Sequence, residues 1–118
     1  MFELKILIDF AAAHQLTMVT EKCENLHGHN WQVEVCVAGK ELNSAGVLID
    51  FGELKAHVRE IVADLDHKFL NDLAVFNNNP SSERIAAYIA DRLSGMLPDN
   101  GICVSRVAVW ESNDACAT

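Results

Sequence analysis

The chain opens with a run that suits an extended strand. From residue 2 to residue 12, Phe2, Leu4, Ile6, Ile8 and Phe10 alternate with Glu3, Lys5 and Asp9, so a pleated backbone sends each apolar side chain to one face. The same period of two returns over 30–38, where Trp31, Val33, Val35 and Val37 oppose Gln32 and Glu34. Two half-buried strands need a cover for their apolar face, and the next segment supplies it. After the turn-forming stretch from Gly39 to Gly46, Asp50 and Glu53 have the spacing of a capping box, with Asp in place of the usual Ser or Thr. Phe51, Leu54, Val58, Ile61, Val62 and Leu65 then recur at helical spacing. A loop ending in Asn77-Asn78-Asn79-Pro80 leads to a second helix. It starts near Pro80, Ser81 and Ser82, carries Ile85, Ala86, Ile89 and Leu93 as its stripe, and ends near Gly95. A further strand is expected over 102–111 and a short last one over 115–118. The order predicts an α+β fold, an antiparallel sheet with both helices on one face. Open sheet edges in so small a subunit predict a homo-oligomer.

Composition narrows the partners. A chain of 118 residues is read as one domain, 1–118. The formal charge of −8 argues against nucleic acid, which needs a concentrated positive surface, and leaves room for a local basic pocket. Met1-Phe2-Glu3-Leu4-Lys5 lacks the apolar run of a signal peptide, and no stretch is long enough to cross a bilayer. The expectation is a cytoplasmic protein with no membrane partner. There Cys23, Cys36, Cys103 and Cys116 are expected to be reduced. The last three read as small apolar residues in or near strands, whereas Cys23 lies in a polar loop beside Lys22.

Two of the five histidines form His27-Gly28-His29, just before the second strand. Extended backbone puts both on one face, the face of Trp31 and Val33. His14 shares parity with Ile8 and Phe10. Antiparallel pairing of the two strands therefore lets His14, His27 and His29 converge and leave a coordination position open, the pattern of a catalytic zinc site. Imidazole also suits other first-row metals. Cys23, four residues before His27, is either a thiolate base or nucleophile, or a fourth ligand closing a structural site. Asp66-His67 is either a proton shuttle, with the aspartate orienting the imidazole, or a surface pair. His57 reads as structural or solvent-facing. Glu111, at the end of the last long strand, is either a solvated charge or an acceptor for the paired N–H groups of a guanidine-like edge.

Taken together, Phe10-Ala11-Ala12-Ala13-His14, Cys23-x-x-x-His27-Gly28-His29, Leu48-Ile49-Asp50-Phe51, Leu65-Asp66-His67-Lys68, Leu70-Asn71-Asp72, Pro80-Ser81-Ser82-Glu83 and Trp110-Glu111 resemble the 6-pyruvoyl-tetrahydropterin synthase family. The three-residue gap between Cys23 and His27 resembles most its bacterial queuosine-pathway branch, 6-carboxytetrahydropterin synthase. The resemblance spans nearly the whole chain. It implies the tunnelling fold, in which ββααββ subunits close into an oligomeric barrel, commonly a homohexamer with active sites between subunits. It implies Zn2+ on His14, His27 and His29, a catalytic group of Cys23, Asp66 and His67, and a pterin ring anchored by Glu111. The implied substrate is 7,8-dihydroneopterin triphosphate, converted to 6-carboxytetrahydropterin, acetaldehyde and triphosphate without nicotinamide or flavin. The alternatives are a 6-pyruvoyl-tetrahydropterin synthase, which cleaves no carbon–carbon bond, and a non-catalytic zinc module serving assembly. Ser81 departs from the family's more usual Thr, and the last strand is expected to be short.

Overall fold

A computed structural model describes residues 1–17 and 25–118; Cys23 lies outside them. The elements in chain order are β1 (Phe2–His14), β2 (His27–Gly39), α1 (Phe51–Ala63), β3 (Lys68–Phe69), α2 (Ser82–Ser94), β4 (Cys103–Ser112) and β5 (Ala115–Ala117), with 3₁₀ turns at Leu70–Asp72 and Ala74–Phe76. They form the expected α+β arrangement around one sheet ordered β3-β1-β2-β4-β5. All pairings are antiparallel except that of β3, which runs parallel to β1 through Ala12 and Ala13. The alternation did not announce β3, because two residues are too few to show a period.

Parity decides what the sheet buries. Ile6, Ile8, Phe10 and Ala12 of β1, Trp31, Val33, Val35 and Val37 of β2, and Val107 and Val109 of β4 all pack in one apolar core. The helices close that core with the residues their spacing selects: Leu54, Val58, Ile61 and Val62 from α1, and Ile85, Ala86, Ile89 and Leu93 from α2. Trp31 is fully buried, lies parallel to the Phe10 ring at 5.8 Å, and donates its indole N–H to the Ala12 carbonyl at 3.2 Å. The other sheet face carries the Lys5–Glu34 ion pair and the exposed Leu7.

Both helix starts follow their caps. The Asp50 carboxylate accepts from the Glu53 N–H at 3.1 Å, and the Ser81 hydroxyl accepts from the Arg84 N–H at 3.2 Å. Gly52 makes the first possible, since a Cβ there would stand 2.8 Å from an Asp50 carboxylate oxygen. Gly95 caps α2 in a right-handed conformation instead of the left-handed one usual for glycine. Within α1, His57 faces Glu53 one turn back, at 3.7 Å. Among the described residues no helix is long and apolar enough to cross a membrane.

Candidate metal centre

The β1–β2 register builds the site. Ala12 pairs with His29 and His14 with His27, so the core-face parity of both strands brings three imidazoles to the end of the hairpin. His14 is buried at 1 % side-chain exposure, while His29 and His27 are at 24 % and 33 %. Their rings meet edge to face, with centroids 4.4–5.2 Å apart. His14 and His29 also rest on the Trp31 ring.

Hydrogen bonds to backbone carbonyls fix the proton on two of the three rings. Nδ1 of His14 lies 2.9 Å from the Pro80 carbonyl oxygen, and Nδ1 of His27 lies 2.7 Å from the Asn25 carbonyl oxygen. A carbonyl only accepts, so both Nδ1 atoms donate. In the neutral rings both Nε2 atoms are then bare lone pairs, yet they stand 2.8 Å apart. Oε1 of Glu111 lies 3.0 Å from Nε2 of His14 and 2.9 Å from Nε2 of His29. The His29 contact is not directed as a hydrogen bond, and among the described residues that buried nitrogen has no hydrogen-bond partner. Burial lowers the His29 pKa, with Glu111 opposing and the neighbouring imidazoles assisting the shift. Several electron-pair donors thus face one point without enough protons between them, an arrangement that a cation relieves. The four candidate donor atoms lie within 4.8 Å of one another. Orientation of ligand imidazoles by backbone carbonyls is the usual support around a metal. The residues fit a divalent ion.

Two details bear on the expected site. The carboxylate of Glu111, read from sequence as a solvated charge or a ring anchor, lies among the histidines, so the coordination position taken to be open has a protein oxygen beside it. The signal was available in parity: Glu111 follows Val107 and Val109 on the core face of β4, and β4 borders β2. The second detail concerns Asp66 and His67. They form the expected pair, Nδ1 to carboxylate at 2.9 Å. Among the described residues, no hydrogen bond or ion pair joins either one to the three histidines. His67 shares one cleft with His29, Gly28 and Phe69, and both residues line another, of about 620 Å³, with Asp9, Ala11, Gln32 and Trp110 on the sheet face turned away from the helices. There Asp66 accepts from the Ala11 N–H at 2.9 Å, and that bond, then the one from His67, holds its carboxyl below the usual range. His67 is 81 % exposed and sits at a left-handed φ of 57°, which is uncommon outside glycine.

The profile of the 6-pyruvoyl tetrahydropterin synthase family matches residues 3–118. The chain belongs to this family. Among its relatives, a dihydroneopterin monophosphate aldolase of Pyrococcus furiosus is 37 % identical, over 89 % of this chain and 85 % of that protein. A protein of Archaeoglobus fulgidus named putative 6-carboxy-5,6,7,8-tetrahydropterin synthase is 38 % identical over 95 % and 90 %. The 6-carboxy-5,6,7,8-tetrahydropterin synthase of Synechocystis is 43 % identical over 71 % and 68 %. The 6-pyruvoyl tetrahydropterin synthase of Caenorhabditis elegans superposes with a TM-score of 0.84 at 22 % identity, covering 98 % of this chain and 92 % of that one. The tetrahydropterin synthase fold and family membership thus agree.

Proposed function

We propose that this chain, as a single domain over 1–118, is a 6-carboxy-5,6,7,8-tetrahydropterin synthase. It would convert 7,8-dihydroneopterin triphosphate and one water to 6-carboxytetrahydropterin, acetaldehyde and triphosphate in the cytoplasm, within queuosine biosynthesis. The observation that carries the reading is the convergence of imidazole Nε2 atoms whose Nδ1 protons are already committed to Pro80 and Asn25. His14, His27 and His29 would hold Zn2+, and zinc there supplies Lewis acidity toward a side-chain oxygen of the substrate.

The chain's own groups do the rest. Cys23, as thiolate, removes a proton from the substrate side chain. His67, held by Asp66, carries protons on the other side. Glu111 offers its carboxylate to the guanidine-like edge of the pterin, which keeps the ring in register. Asp66 and His67 border the uncovered sheet face on their own chain, which supports a site completed by a second subunit. Among the described residues β3 and β5 cover only the ends of β1 and β4, and the lengths left over support closure into a homohexameric barrel. The electrons that saturate the ring come from the substrate side chain.

One observation favours a second reading. A relative 37 % identical over most of the chain is named an aldolase for the monophosphate. Such an enzyme needs the same grip on a hydroxylated pterin side chain but splits it without eliminating triphosphate. The deciding experiment is incubation of the zinc-loaded protein with dihydroneopterin triphosphate and, separately, the monophosphate, with products identified by mass spectrometry. A carboxylated tetrahydropterin with acetaldehyde is expected. A 6-pyruvoyl product, or cleavage of the monophosphate alone, overturns the assignment.

A further inference from the structure

Gly28 is a glycine for which the described residues of its own chain give no reason. It stands inside β2, in unbroken register with Ala13 of β1, and its φ is not left-handed. Among the described residues, a Cβ added there would meet only the Ala12 carbonyl oxygen, at the ordinary contact distance of 3.9 Å. Gly39, at the other end of the same strand, shows the contrast: a Cβ there would stand 2.6 Å from Cδ1 of Leu48. A glycine within a strand gives up backbone entropy and side-chain packing. Where no bulge or bend explains it, it marks the close approach of a ligand or of another backbone.

The surroundings decide between the two. Strand parity sends Gly28 to the face turned away from the helices, together with Ala11 and Ala13, so the floor there carries nothing taller than a methyl group. Phe69 and His67 border it in a cleft of about 560 Å³, a volume that takes a small molecule. Nδ1 of His67 lies 2.9 Å from the Asp66 carboxylate, which leaves Nε2 to exchange protons with whatever the cleft holds. Such an exchange needs the reacting atoms within hydrogen-bond reach. We infer that Gly28 is a specificity-determining residue, left bare so that the hydroxylated side chain of the substrate lies against the β2 backbone while His67 reaches it. The inference rests on the pterin reading of the site. Because Gly28 faces away from the imidazoles of His27 and His29, it serves the half of the site that this chain offers to a second subunit.

The test compares the full-length, zinc-loaded wild type with Gly28→Ala and Gly28→Val. Both variants should retain zinc and, metal-free, melt no lower than wild type, since a side chain suits a strand better than glycine does. Neopterin, an unreactive pterin that carries the hydroxylated side chain, is titrated by fluorescence quenching. It should bind Gly28→Val at least about tenfold more weakly than wild type, as overpacking a tight contact costs, and Gly28→Ala should lose less. Unsubstituted pterin, a ring without that side chain, should bind all three alike. The kcat/KM for dihydroneopterin triphosphate should fall in the order wild type, Ala, Val. Neopterin binding equal in all three proteins would overturn the inference. Equal weakening of neopterin and pterin would overturn the side-chain assignment. Lower melting or lost zinc would mean that the chain's own packing needs the space, and folded variants that fail to assemble by size-exclusion would put another subunit's backbone there; either result overturns the inference. Binding of neither compound to wild type overturns the pterin reading itself, and this use of Gly28 with it.

Discussion

An imidazole serves as a ligand through a nitrogen that carries no proton, so the bonds at the far side of each ring decide what the near side can do. The Pro80 and Asn25 carbonyls settle this for His14 and His27. His29→Ala is therefore expected to lose metal and turnover together, whereas Cys23→Ala should keep metal and lose turnover; metal content beside product formation checks both. Release of the metal by Cys23→Ala would make the thiol a ligand. Asp66 supplies a pH signature. Its folded-state pKa is depressed by the Ala11 N–H and by His67, so its contribution to stability is present above the ordinary carboxylate pKa and is lost as pH falls through the depressed value. In the metal-free protein, the melting difference between wild type and Asp66→Asn should be widest near neutrality and close below about pH 4. The converging histidines were readable from HxH and strand parity, because strand period alone sets those directions. Glu111 joining them was not read, because the contact spans 97 positions of sequence and depends on which strand β4 borders.

Elements hold these residues through their ends. Asn71, in the 3₁₀ turn after β3, accepts from the Gln15 N–H at 2.9 Å and donates to the Gln15 carbonyl at 2.7 Å, and Asn79 accepts from the Thr17 N–H at 3.1 Å. The chain leaving β1 is thus gripped just past His14. Asn71→Ala should weaken metal retention on the order of 10-fold, as loss of an outer-shell support does, while Asn71→Asp, which keeps the acceptor and loses the donor, should fall between the two; chelator competition measures both. Asp50→Ala removes the α1 cap and should cost about 1 kcal/mol, read by denaturant unfolding, without touching the metal. Helix positions were legible because caps and stripes agree locally. The turns over 70–76 were not, since their stability comes from Asn side chains reaching back to β1, which no local pattern records.

At the scale of the whole molecule, the sheet face away from the helices and the lengths of β1 and β4 beyond β3 and β5 are what the described residues of one chain leave unfinished. The proposed site draws its metal ligands from one face and Asp66 and His67 from the border of the other. If these belong to different subunits, Cys23→Ala and His67→Ala are each inactive alone but complement one another. Random mixed oligomers should recover about a quarter of wild-type turnover, measured after denaturing and refolding the two together. No recovery would place the whole catalytic group on one chain.

The bond from His14 to Pro80 joins the buried imidazole of the proposed centre to the residue just ahead of the Ser81 cap of α2. Whatever steadies that ring therefore also steadies the first turn of a helix lying outside the site. Stripping the ion should quicken deuterium uptake at the amides of residues 84–86 while leaving those of the middle of α1 unchanged, so occupancy of the centre becomes readable from a helix that touches no ligand.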